Sequence, residues 1–242
     1  GVEVSAFSWR RALLDRWDVL HVHWPETLWA SSSRLRRTGK QALVALLLLK
    51  IRLTRSAVVW TRHNLTSHEG QDWSARFLAG RLEHAATWYV LLNDQSSAPP
   101  GKRSTAIPHG HYVDWFADLP KSARVPGRLA CFGLIRPYKG MEGLLEVFAS
   151  LTDPGLSLTI GGKPTDNATA VRLADLAGED PRVSLTLRFL EEPELVELVT
   201  RAEVAVFPYL VMHNSGAVLA ALSLARPVLV PRNPVTESLR NE

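Results

Sequence analysis

The chain has a single cysteine, Cys131, and only two methionines among 242 residues. One thiol excludes a disulfide framework and any cysteine-built metal site, and it suits a reducing compartment. Long apolar runs are missing too. The longest, Ala42 to Leu49, falls well short of the roughly 20 residues that span a bilayer. Gly1 to Ser8 lacks the charged-then-apolar build of a signal peptide. There is no H-E-x-x-H spacing or other clustered ligand pattern, so no metal site is expected. There is no G-x-G-x-x-G with a downstream acid, which ranks a nicotinamide-linked oxidoreductase last. No internal repeat or low-complexity tract stands out. The absence of an initial methionine, and an end just after a strand-like run, lead us to expect a chain truncated at both ends.

What is present is ordinary globular composition, with 46% hydrophobic and 21% charged residues. The formal net charge of +4 is small and unevenly spread. Residues 1–120 carry 15 basic against 10 acidic residues, and residues 121–242 carry 13 against 14. All eight tryptophans and seven of the eight histidines also precede residue 120. The asymmetry predicts two domains, 1–120 and 121–242, with Lys121–Gly127 as the linker. So small a surplus, with no recognition motif, excludes nucleic acid as the partner.

Short apolar, β-branched runs recur at Val4–Phe7, Val19–His23, Ala57–Thr61, Tyr89–Leu92, Ala106–Ile107, Leu129–Leu134, Leu156–Ile160, Val183–Leu187, Val204–Phe207 and Val228–Val230. Most are apolar at both alternating positions, which predicts parallel strands covered on both faces. Helical patterns lie between them at Arg34–Arg55, Asp72–Trp88, Met141–Leu151, Asn167–Ala177, Glu192–Thr200 and Ser215–Leu224. The alternation predicts two doubly wound α/β domains, whose ligands sit beyond the carboxyl ends of the strands and in a cleft between domains.

Several segments have features of a site. Phe132-Gly-Leu-Ile-Arg-Pro-Tyr-Lys-Gly140 runs from a strand into a helix. Gly133 and Gly140 let backbone approach a ligand, while Arg136 and Lys139 bring fixed positive charge to a helix start, a combination suited to a diphosphate. The competing reading is a turn with solvated basic residues. His213-Asn214-Ser215-Gly216 opens another helix, where Ser215 is an ordinary N-cap that can also present a phosphate-binding terminus. Ile160-Gly161-Gly162-Lys163 reads as a simple turn. In the first half, His21 and His23 share one strand face, and His63, His68, His109 and His111 sit at or after strand ends. Imidazoles so placed suit proton transfer near neutral pH. Arg34–Arg55 holds seven basic residues and no acidic one around an apolar centre. It suits either a helix packed on the sheet with basic ends in water or contact with an anionic membrane surface.

Taken in order, these segments resemble bacterial glycosyltransferases of the GT-B fold, which use nucleotide-activated sugars. The resemblance covers nearly the whole chain. Phe132–Gly140 with Met141–Phe148 is similar to the family's pyrophosphate loop and following helix. Ala202–Pro208 and Ala217–Val230 are similar to its closing strand–helix–strand unit. Asp18–Pro25, Val59–Asn64 and Ile107–His111 resemble strand-end segments of its acceptor domain. The resemblance implies that Lys139 neutralises the donor diphosphate. The usual arginine position holds Leu134, and Arg136 stands in from the same loop. Asn214, Ser215 and Gly216 match the helix start that meets the donor phosphate. His63 matches the histidine that contacts the donor sugar, with His109 as rival. The two glutamates of many retaining members fall on Met212 and Ala220 here, so ribose recognition and stereochemistry are left open.

The implied activity is metal-independent transfer of a hexose from a nucleoside diphosphate sugar to a hydroxyl acceptor, in polysaccharide or glycoconjugate biosynthesis. The sugar donor is a substrate, and no cofactor is implied. The acceptor is a glycan, a lipid-linked glycan or a small molecule. Candidates for the base are His63, His109 and Glu69. The implied location is cytoplasmic, with peripheral membrane contact through Arg34–Arg55. Two alternatives stand beside it: a nucleotide-sugar epimerase of the same fold, and a non-catalytic membrane-associated module.

Overall fold

The computed structural model describes residues 1–31, 33–63, 73–212 and 214–239. It divides into two compact units, Gly1–Pro108 and His109–Glu242.

The first unit opens with α1 (Trp9–Leu14), followed by β1 (Val19–Val22), α2 (Arg34–Thr54), β2 (Ala57–Arg62), α3 (Trp73–Ala85), β3 (Trp88–Leu91) and β4 (Arg103–Ala106). The four strands are parallel in the order β1-β2-β3-β4. Right-handed crossovers place α2 and α3 on one face of such a sheet. There Val44, Leu47 and Ile51 of α2 and Ala75, Leu78 and Leu82 of α3 close over Val58 and Tyr89. The expected two-sided cover does not extend through this sheet. Burial alternates along β1 and β3, and β4 is exposed throughout. The reason is that β4 is a polar edge, Arg-Ser-Thr-Ala, with no apolar side chain larger than alanine to bury. The run Val4–Phe7, expected as a strand, pairs with no described strand, and α1 follows it unannounced by any clear period.

The second unit runs β5 (Arg128–Phe132), α4 (Met141–Ala149), β6 (Ser157–Gly161), α5 (Asn167–Ala177), β7 (Val183–Thr186), α6 (Glu192–Arg201), β8 (Val204–Val206), α7 (Gly216–Ser223), β9 (Val228–Leu229) and α8 (Pro234–Ser238). All its strand pairs are parallel, in the order β7-β6-β5-β8-β9. The chain winds outward from β5 in one direction and then returns to its other side with β8. That reversal is a topological switch point, where the loops after two adjacent strands part and leave room for a ligand. Two cores flank this sheet: Ile135, Met141, Leu145, Phe148 and Leu173 on one side, and Phe116, Val196, Val199, Phe207 and Val218 on the other.

The dividing line at residue 108 falls earlier than the expected 120. Tyr112 and Phe116 stack at 5.7 Å and pack, with Leu119, into the core of the second unit. The segment 109–120 is rich in the aromatic and histidine residues of the first half, yet it belongs to the second. Lys121–Gly127 is not a free linker. Ser122 N–H donates to the Thr200 hydroxyl and Val125 N–H to the Arg201 carbonyl, so this stretch lies along α6.

Candidate functional site

The loop after β5 and the loop after β8 meet at the switch point. Leu210 N–H donates to the Tyr138 carbonyl at 2.8 Å. Gly140 has φ +67°, and a Cβ there would stand 2.2 Å from the Pro208 carbonyl oxygen. The approach therefore requires glycine on two counts. Gly162, expected to be part of a simple turn, has a tighter role: a Cβ on it would lie 1.8 Å from the Gly133 carbonyl oxygen, so β6 can end against the Gly133 loop only without a side chain.

Within this junction Lys139 folds back over Gly133. Its Nζ lies 3.2 Å from where a Cβ on Gly133 would be, and the Ala217 methyl, in the first turn of α7, is 3.9 Å from that same point. Gly133, Lys139 and the start of α7 are thus brought together. Burial lowers the Lys139 pKa, and Arg136 in the same loop adds to the lowering. An anion arriving here would relieve both effects. Beneath it the Cys131 thiol is fully buried, and burial pushes its pKa to about 12, so it remains neutral. Arg136 precedes the 3₁₀ turn Pro137–Lys139 and is half-buried.

The start of α7 is capped as expected. The Ser215 hydroxyl accepts from Val218 N–H at 3.3 Å. Asn214 is half-buried beside it, and His213 lies outside the described residues. A Cβ on Gly216 would meet the Tyr112 hydroxyl at 2.9 Å and His109 Nε2 at 3.7 Å. His109, expected in the first domain, is therefore part of the second unit and faces the helix start. Its Nδ1 bonds the Gly110 carbonyl at 2.9 Å. A carbonyl can only accept, so Nδ1 is the donor in this bond.

Tyr209 was missed by sequence reasoning. Its ring centroid is 5.0 Å from Lys139 Nζ, a cation–π arrangement that holds the ammonium in place. The residue is 5% exposed, and its hydroxyl is buried without a hydrogen bond. Burial raises its pKa strongly, and the nearby Ser215 hydroxyl offsets only part of this. Nothing in the sequence separates this tyrosine from a core aromatic, because its role depends on the lysine folding back onto it.

The positions of the two absent glutamates lie in or against the core. Ala220 is buried, and Met212 packs on the same cluster while its carbonyl accepts from Asn233 Nδ2.

In the first unit, the carboxyl ends of β1 and β2 gather three imidazoles. His21 Nε2 and the Thr61 hydroxyl are 2.8 Å apart, and His23 Nδ1 and His63 Nε2 are 3.0 Å apart. Trp24 stacks on His63 with ring centroids 4.2 Å apart. Burial, and then His23, lowers the His21 pKa. The His23–His63 bond needs a proton on one nitrogen and a lone pair on the other, so the pair cannot be doubly protonated and keep it. His68 and Glu69 lie outside the described residues. No group of three His, Cys, Asp or Glu side chains among the described residues is placed to hold a metal ion.

Residues 126–242 match the family described as "Glycosyl transferases group 1". The whole chain is 44% identical, over 241 residues, to the GDP-mannose:glycolipid 4-beta-D-mannosyltransferase of Xanthomonas campestris pv. campestris, of which it spans 69%. Among solved structures it superposes on Anabaena HepE in complex with UDP and glucose, with a TM-score of 0.65 at 16% identity, covering 82% of this chain and 59% of that one. It also superposes on a UDP-forming trehalose-phosphate synthase from Burkholderia xenovorans, with a TM-score of 0.56 at 14% identity, covering 88% and 58%. At such identities the structural likeness speaks for the fold.

Proposed function

The chain belongs to the group 1 glycosyl transferases, with the GT-B fold, and from that premise we propose that it transfers mannose from GDP-mannose to a hydroxyl of a glycolipid. The observation that carries the reading is the meeting of Gly133, Lys139 and the first turn of α7 at the switch point of the second sheet. The second unit is the donor-binding unit, and the first supplies acceptor-side residues.

In this reading the acceptor oxygen attacks the anomeric carbon as the bond from that carbon to the diphosphate breaks. The electron pair leaves with GDP. Lys139, Arg136 and the unpaired N–H groups at the start of α7 stabilise the charge that appears there. The relative's name specifies a β linkage, and forming it from an α-linked donor inverts the anomeric carbon. Inversion calls for a base to take the acceptor proton. We assign that role to His63. The His23–His63 bond holds the ring in place, and stacked Trp24 supports the imidazolium that forms. His109 Nε2, at Gly216, is assigned to the donor side.

Among the described residues no helix is long and apolar enough to cross a membrane. A lipid-linked acceptor places the enzyme peripherally, at the cytoplasmic face of a membrane, with Arg34–Arg55 as the contact segment. The test is mass-spectrometric product analysis with GDP-mannose and a glycolipid acceptor, alongside donor alone. A mannosylated lipid formed only when both are present supports the reading. An isomerised donor in the absence of acceptor would move the assignment to an epimerase.

A further inference from the structure

Helix α2 is apolar on two opposite faces. Val44, Leu47 and Ile51 point into the core of the first unit. Steps of three and four residues place Leu35, Gly39, Ala42, Leu46, Leu49 and Leu53 on the other face. All six are exposed, and the four leucines are 85%, 53%, 52% and 74% accessible. A surface helix with one core face ordinarily turns charged residues outward. Here the outward face is an unbroken apolar stripe along 21 residues of helix.

The basic residues divide by role. Lys40 donates to the Thr27 and Ala30 carbonyls, and Lys50 to the Ala12 and Asp15 carbonyls, so both fasten the helix to its own unit. Arg34, Arg36, Arg52 and Arg55 are exposed, with no ion-pair partner among the described residues. The helix has no acidic residue. Cations thus stand at both ends of the stripe, uncompensated.

We propose that this stripe is the membrane-docking surface, with Leu46, Leu49 and Leu53 entering the acyl boundary of an anionic leaflet while Arg34, Arg36, Arg52 and Arg55 meet lipid phosphates. Apolar side chains flanked by arginines at headgroup height match such a surface in both chemistry and geometry. A second copy of the chain fits poorly, because pairing two stripes would oppose arginines with no carboxylate on either helix. The helix then lies along the membrane plane. The inference rests on the lipid-linked acceptor for its purpose, though not for its observables.

The test is vesicle flotation of the full-length protein with phosphatidylcholine alone and with added phosphatidylglycerol, together with GDP titration of the same preparations. Binding to the anionic vesicles is expected. Leu46→Glu with Leu49→Glu should lower the bound fraction about tenfold or more, and Arg34→Gln with Arg36→Gln and Arg52→Gln should abolish the preference for anionic lipid. Unchanged GDP affinity in both variants would show that they fold. Equal flotation of wild type and the leucine variant, or binding indifferent to lipid charge, would overturn the proposal. So would a dimer, seen by sedimentation, that the leucine substitutions dissolve. Vesicle binding without any GDP binding would leave the docking surface standing and remove the transferase reading.

Discussion

The ammonium of Lys139 rests 5.0 Å from the centre of the Tyr209 ring, the two residues coming from loops that follow adjacent strands on either side of a switch point. The lysine is thereby held over Gly133 before any ligand arrives. Its positive charge is kept in a partly buried place, where an arriving diphosphate gains more than it would from a solvated lysine.

Tyr209→Phe keeps the ring and discards a buried, unbonded hydroxyl. Nucleotide affinity should be unchanged within about twofold, and thermal stability should hold or rise. Tyr209→Leu removes the ring and should weaken GDP binding by about three- to thirtyfold, the range of a partly desolvated cation–π contact. Calorimetric titration of both variants checks the pair.

Gly140→Ala introduces strain at φ +67° and sets a methyl against the Pro208 carbonyl. The expected loss is about 1–3 kcal/mol of stability, seen as a lower midpoint in thermal unfolding. Nucleotide affinity should fall as well, since the same contact sets the position of Lys139.

His63→Ala should lower kcat by about 10²–10⁴-fold, the usual worth of a general base. His23→Phe should have a smaller effect, confined to kcat and to the pH profile, while His23→Gln, which can still hydrogen-bond, should recover part of it. An unaltered kcat in His63→Ala would transfer the role to His109 or to Glu69.

His21 supplies a pH test of stability. Its folded pKa is depressed from 6.5, first by burial, so the folded state favours the neutral ring. That contribution is complete above the unfolded value and is lost as pH falls through the folded one. Thermal stability should decline on acidification below about pH 6.5, and less steeply in His21→Gln. A parallel decline in the two proteins would show that His21 does not contribute.

Much of this was legible in the sequence. The Asn167–Ala177 helix was bounded correctly because Asp166 caps it and Gly178 ends it. The loop 133–140 announced itself through glycines and cations between a strand and a helix. Other features were hidden because they depend on distant residues. Tyr112 and Phe116 carry the composition of the first half but pack on α7 and β8, so composition misplaced the boundary and His109 with it. Tyr209 gains its role only once Lys139 folds back. The outward stripe of α2 has the same period as its core face, and which of the two is buried shows only in the packed helix.

The central claim is a donor diphosphate held by Lys139. Calorimetric titration of the protein with GDP, UDP, ADP and dTDP, in wild type and Lys139→Ala, tests it most directly. The account predicts binding of GDP over the other three, and a loss of about tenfold or more in the variant. Equal GDP affinity in wild type and Lys139→Ala, with the variant folded, would contradict it.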